Sequence, residues 1–203
     1  MAVGWSVSVA AADWPAWRYD ARRSACSPAP LPDDLRPLWQ LALPAPRPAW
    51  PSDGWRLQFD HSYEPVVAGK RLFVPSMVTD SVAACDTETG AEQWRFFAEG
   101  PVRFAPAVWE GGLFFVSDDG YLYCLDAASG ALRWKFRGGP SAHRVLGNGR
   151  MISMWPARGA PVIEDGIVYF AAGIWPFMGV FVHALDARTG RVIWTNSASG
   201  SEF

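Results

Sequence analysis

An all-β chain built from repeated four-stranded units is the fold class that this sequence predicts. Three observations predict it. Half of the 203 residues are apolar, yet they fall in many short runs broken by 19 Gly and 17 Pro, the pattern of strands and turns rather than of a helical bundle. Twelve Trp and twelve Phe supply large side chains for packing, while charged residues make up only 19%. Finally, one short segment recurs three times.

The recurring segments are Cys85-Asp-Thr-Glu-Thr-Gly-Ala-Glu-Gln-Trp94, Leu125-Asp-Ala-Ala-Ser-Gly-Ala-Leu-Arg-Trp134 and Leu185-Asp-Ala-Arg-Thr-Gly-Arg-Val-Ile-Trp194. Each places a Gly four residues after an Asp and a Trp four residues after the Gly: Asp86, Gly90, Trp94; Asp126, Gly130, Trp134; Asp186, Gly190, Trp194. Upstream of each, a strand pair flanks a turn, over 65–74, 106–116 and 161–170. Trp94 and Trp134 are 40 residues apart, which fits a four-stranded propeller blade; Trp134 and Trp194 are 60 apart, the same unit with an insertion. In the middle unit, strands A to D fall near 105–109, 113–117, 121–126 and 131–136, counted from the centre of a ring outward. Asp118-Asp-Gly120 is a hairpin signal for the B–C turn. At the C–D turn the Asp side chain bonds local amides and the Gly takes positive φ. The repeated Trp then lies on the outer strand, facing the neighbouring blade.

The expectation is a partial β-propeller of about three four-stranded antiparallel blades, near 60–98, 103–137 and 159–196, plus an N-terminal closing strand. That strand is Leu35–Leu43, which carries Trp39 and reads as a lone outer strand able to complete a last blade. Residues 1–33 read as a lead-in segment and 34–203 as the propeller. Three blades and one strand fall short of a closed ring, so a piece of a longer chain is expected rather than a ring of several copies.

Charge and motif content exclude several classes. A net charge of −2 lacks the basic face of a nucleic-acid binder. No apolar run approaches the ~18 residues of a membrane span, and no Lys or Arg precedes the mildly apolar N-terminus, so there is no clear signal peptide. Cys85 and Cys124 stand one and two residues before equivalent Asp residues, on opposite strand faces; together with Cys26 they read as small hydrophobes, not as a disulfide or metal pair. Gly-x-Ser-x-Gly, phosphate-loop and His-Glu-x-x-His patterns are missing, and His61, His143 and His183 have no paired spacing for zinc. No residue is assigned a catalytic role, because the repeated Asp residues already serve turns.

A candidate binding site follows from topology. Strand direction alternates, so B–C and D–A connections emerge on one face. The two irregular stretches, 137–159 and 173–179, are of these two kinds and share that face beside the third blade. From Ala127 to Ile163 there is no Asp or Glu, but six Arg or Lys residues occur. His143, Arg144, Arg150 and Arg158, with Trp155 and Trp175 as stacking surfaces, are the ligand-binding candidates, for an anionic, planar or sugar-like ligand. The competing reading pairs these arginines with acids on other blades and uses the Trp-Pro pairs to pin long loops. Both stay open here.

The Asp-x-x-x-Gly-x-x-x-Trp repeat resembles the tryptophan-docking repeat of quinoprotein, PQQ-like β-propellers, over roughly Pro65 to Trp194. Asp13-Trp-Pro-Ala-Trp-Arg-Tyr-Asp-Ala-Arg-Arg23 resembles the lead-in of bacterial proteins with such repeats. The family includes PQQ-dependent alcohol dehydrogenases and the propeller lipoprotein of the outer-membrane assembly machine. The resemblance implies a periplasmic or extracellular setting and one of two functions. The first is a non-catalytic binding or scaffolding module of a larger bacterial protein, taking a protein partner. The alternative is a fragment of a PQQ-dependent oxidoreductase, with PQQ and Ca²⁺ as cofactors. The adjacent Cys-Cys pair of the dehydrogenases does not occur in this sequence, which favours the first.

Overall fold

The computed structural model describes residues 13–31, 33–50, 58–147 and 149–199. The first twelve residues of the lead-in and residues 200–203 of the propeller segment lie outside the described residues. Three four-stranded antiparallel sheets follow one another along the chain, each in simple up-and-down order. The first comprises β1 (Val66–Ala68), β2 (Arg71–Ser76), β3 (Ser81–Asp86) and β4 (Glu92–Phe97). The second comprises β5 (Ala107–Trp109), β6 (Gly112–Val116), β7 (Tyr121–Asp126) and β8 (Leu132–Arg137). A hairpin, β9 (Arg144–Gly147) with β10 (Arg150–Ser153), stands between the second and third sheets. The third sheet comprises β11 (Val162–Glu164), β12 (Ile167–Ala172), β13 (Val180–Asp186) and β14 (Val192–Ser199). These are blades of a partial β-propeller.

The repeat seen in the sequence is a repeat of register. Ala84 faces Trp94, Cys124 faces Trp134 and Ala184 faces Trp194, and a ladder irregularity follows each pair at the same place. Each C–D turn is closed by its Asp. The Asp126 carboxylate accepts from the Ser129 amide at 2.9 Å and the Ala128 amide at 3.1 Å, and Gly130 follows at φ 73°. Arg133 first, then the Ser129 hydroxyl and amide, hold this exposed carboxyl down at about 2.

What joins the blades is the Trp. The Trp94 ring lies flat over Gly130 of the next blade, so that an added Cβ would meet it at 2.7 Å, and its indole N–H donates to the Ala127 carbonyl at 3.3 Å. Trp134 repeats this over Gly190, donating to the Arg188 carbonyl at 3.2 Å. Trp39 repeats it over Gly90, donating to the Thr87 carbonyl at 2.9 Å. Leu35–Leu43 itself has no ladder partner among the described residues, yet its Trp39 sits where an outer strand of a preceding blade would put it. Apolar layers fill the gaps between blades: Phe73, Val82 and Ala84 against Phe115, Tyr123 and Leu125, then Phe114, Leu122 and Cys124 against Val168, Phe170 and Leu185. Cys85 and Cys124 are thus buried on opposite faces, and burial pushes the Cys124 thiol up to about 12.

The lead-in crosses the free edges of the inner strands. Trp14 exchanges both backbone hydrogen bonds with Val67 at 2.8 and 2.9 Å, and the Pro15 carbonyl accepts from Val108 at 2.7 Å. Arg23 then donates to the Ala160 and Pro161 carbonyls at 3.1 and 3.3 Å. One short segment thus bonds edge groups of β1 and β5, whose strands line the centre of a propeller, and reaches the residues just before β11.

The docking geometry makes a paired prediction. Gly69 also has positive φ (59°) but open space around its Cβ position. Gly69→Ala should cost about 1–2 kcal/mol of backbone strain. Gly130→Ala adds the collision with Trp94 and should cost clearly more, about 3–4 kcal/mol. Urea unfolding of the two variants checks the order.

Candidate functional site

The B–C turns and D–A connections share one face of the three blades, and the candidate residues lie there. The β9–β10 hairpin extends from the D–A connection after β8 and reaches the first blade. Arg150 ion-pairs with Asp80 at the tip of the β2–β3 turn and donates to the Met77 carbonyl at 3.1 Å. Arg144 pairs with Glu99, which also lies 4.0 Å from Lys135. Arg158 grips Asp118 with two bonds, at 2.9 and 3.0 Å. Burial raises the Asp80 carboxyl above its usual range, and Arg150 opposes that shift.

Asp118 is the centre of a buried network that the sequence did not disclose. Its second partner is Arg103, at 2.7 Å, and both side chains are almost fully buried. Arg103 also bonds Asp60 at 2.6 Å and the Arg47 carbonyl at 2.8 Å, while the Ala49 amide donates to Asp60 at 2.8 Å. The chain Arg158–Asp118–Arg103–Asp60 thus ties Arg47, Ala49 and Asp60, the second blade and the long D–A connection into one unit. Every member is charge-paired, as burial requires. Next to it, Asp119 accepts from the Tyr123 hydroxyl at 2.6 Å and from the Glu99 and Tyr121 amides at 3.0 Å each. Desolvation still raises the Asp119 carboxyl.

The remaining candidates divide. His143 is exposed at the base of the hairpin, where its backbone carbonyl accepts from Met154 at 2.9 Å. Trp155 is a half-buried prop that donates to the Met178 carbonyl at 2.7 Å and covers Gly139. Trp175 lies edge-on to Trp50 at 5.7 Å and stacks on Phe177 at 6.0 Å. The three arginines and the two tryptophans therefore share a face, and the guanidiniums engage acids of the first two blades and of the connection between them.

His183, read only as unpaired in sequence, has a defined task. Its ring is buried (4% exposed) and stacks on Phe170 at 5.0 Å. Nε2 lies 2.8 Å from the Gly138 carbonyl, which only accepts, so Nε2 carries the proton and Nδ1 accepts from the Thr195 hydroxyl at 2.9 Å. The neutral ring thus pins the start of the long connection to the third blade. Burial lowers its pKa, against the pull of the Gly138 carbonyl.

Residues 31–202 match the family model described as outer membrane protein assembly factor BamB. The chain belongs to this PQQ-like repeat family. Among curated relatives, the polyvinylalcohol dehydrogenase of Sphingopyxis sp. (strain 113P3) is 32% identical over 163 residues, 73% of this chain and 24% of that protein. The dehydrogenase subunit of the alcohol dehydrogenase (quinone) of Gluconacetobacter polyoxogenes is 33% identical over 123 residues, 55% of this chain and 16% of that protein. The chain thus spans about a quarter or less of these relatives' lengths. The quinohemoprotein alcohol dehydrogenase of Comamonas testosteroni superposes with a TM-score of 0.64 at 23% identity, over 91% of this chain and 27% of that chain. The likeness in structure concerns the fold.

The described residues of this PQQ-like sector do not fit the quinone cofactor of such enzymes. PQQ is a tricarboxylate, and the candidate guanidiniums of Arg144, Arg150 and Arg158 are committed to Glu99, Asp80 and Asp118. Among the described residues no three His, Cys, Asp or Glu side chains converge as a metal ion requires.

Two predictions follow the geometry. Asp118→Ala strands two guanidiniums, one of them buried, and should cost about 3–5 kcal/mol, against near-neutral cost for removing the exposed Lys70–Glu88 pair; denaturant midpoints compare them. For His183 the folded value is depressed, so its stabilisation is complete above the unfolded value of about 6.5 and is lost as pH falls through the folded value. Melting temperatures from about pH 7.5 to about pH 5 should show the wild-type advantage over His183→Gln shrinking with acidity.

Proposed function

We propose that this chain is a sector of a quinoprotein-type oxidoreductase that acts on alcohols, and that its three blades frame the reaction centre rather than supply it. The observation that carries the reading is the 32–33% identity to a polyvinylalcohol dehydrogenase and to quinone-linked alcohol dehydrogenases. Three features support the division of labour. Cys85 and Cys124 are buried on opposite faces, Arg144, Arg150 and Arg158 of the shared face each meet an acid of the chain, and the lead-in bonds to two of the inner strands. In that reading PQQ, with Ca²⁺ or a similar ion, is held by other parts of the complete protein, in the periplasm or outside the cell.

The self-neutralised face favours one second reading, a non-catalytic scaffold, in line with the family model's description as an assembly factor. The two separate in one experiment on the complete chain. After loading with PQQ and Ca²⁺, reduction of an artificial electron acceptor is followed with ethanol or poly(vinyl alcohol). Alcohol-dependent reduction is expected. A purified, folded protein that neither takes up PQQ nor reduces the acceptor would overturn the oxidoreductase and leave the scaffold.

A further inference from the structure

The A–B and C–D turns emerge on the face opposite to the long connections, and there each joint between blades carries a groove. The first groove lies between the first and second blades, the second between the second and third. Register makes them equivalent, since Arg71, Gly112 and Ile167 each face the Asp of their own C–D turn. In the second groove Arg188 donates twice to Glu110 at 2.9 Å and lies over the Trp109 ring at 5.2 Å. In the first groove the corresponding positions are Ala128, Gly69 and Ala68, so no such pair forms from them. The cavity left there is about 420 Å³, against about 270 Å³ in the second groove.

Arg71 enters the first groove from the position that Gly112 holds in the second blade, on the side of β2 that carries Phe73. Its Nε is one of two buried side-chain polar atoms without a hydrogen-bond partner among the described residues. Leaving a buried charged donor without an acceptor is costly, so the groove lacks an acceptor rather than a donor. None of the acids lining it pairs with Arg71. Asp126 holds Arg133 at 2.7 Å, Glu110 holds Arg188, and Asp13 accepts from the Gly69 amide at 2.8 Å. The second groove thus contains a guanidinium with its carboxylate, and the first a guanidinium without one.

We propose that the first groove binds small monocarboxylates, with the ligand's carboxylate on Arg71. A planar guanidinium takes a carboxylate through parallel bonds, and the volume suits a small molecule. Phe73, Val108 and Trp109 on the walls cover a short apolar body. Asp13 has an amide but no cation as partner among the described residues, so it repels a second negative charge and disfavours dicarboxylates. The site lies on the opposite face from Arg144, Arg150 and Arg158, and it serves a scaffold and an oxidoreductase alike.

The test is a ligand-observed NMR titration of benzoate into the complete chain, with benzamide and phthalate as the uncharged and doubly charged comparisons. Saturable benzoate binding is expected, with benzamide and phthalate weaker by about tenfold or more. Arg71→Met removes the charge at similar length and should weaken benzoate by about tenfold or more. Its melting temperature without ligand should be no lower than that of the wild type, because no internal partner is lost. Ala128→Glu, at an exposed position, supplies the missing carboxylate from within and should also abolish benzoate binding. Circular dichroism verifies that both variants are folded. Benzoate that fails to bind, or that binds Arg71→Met as well as the wild type, overturns the proposal, as does benzamide or phthalate binding as tightly as benzoate.

Discussion

Every inter-blade joint in this structure depends on an indole ring lying flat on a glycine. The ring can approach that closely only because no Cβ intervenes, and the Gly is available there because the preceding Asp closes a turn that demands positive φ. One constraint therefore couples local backbone conformation to packing between sheets. The indole N–H adds direction, since it reaches the carbonyl of the residue just after the turn's Asp in Trp94 and two after it in Trp134. Stability accumulates joint by joint, as expected where each unit touches only its neighbours. The same logic gives meaning to two unusual positions. Trp39 docks on the first blade without belonging to a sheet, and Trp194, 44% exposed, stands beside Tyr169 ready for a turn of the same kind.

Electrostatics divide along burial. The Arg103–Asp118–Asp60 unit lies where water is excluded, so its value is in mutual satisfaction: each charge is tolerable only because the others are present. The Arg144–Glu99 pair is exposed and contributes little to stability, but it fixes where the hairpin lies. Between them they tie Arg144 and Arg158 of a locally basic sequence to acids supplied from elsewhere in the chain. The residue count along 127–163 overstates the field, because Asp80, Glu99 and Asp118, supplied by earlier parts of the chain, pair with Arg150, Arg144 and Arg158.

This explains how far the residues could be read. Blade positions, the turn chemistry of Asp126 and Gly130, and the outward placing of Trp134 were legible because they repeat with fixed spacing and rest on local rules. The shared face of the two long connections was legible from strand alternation. The hairpin inside the first connection was not, because Val145–Gly147 and Met151–Ser153 are short and lack a marked alternation. Nor were Arg103 and Asp60, whose partnership spans 43 residues and carries no signal in either neighbourhood. Trp50 escaped for the same reason; a tryptophan followed by Pro looks like any loop anchor until its partner Trp175 is placed beside it.

A repeat fold lets function reside in a few blades while the others keep the ring's curvature. That separation reconciles a likeness to dehydrogenases with a structure whose buried Arg103, Asp118 and Asp60 engage one another. A redox centre needs groups held ready for a ligand, and groups already satisfied by the protein are unavailable for that task. The buried thiol of Cys124, pushed up to about 12, is a packing group at any physiological pH, and the buried cations belong to Asp118.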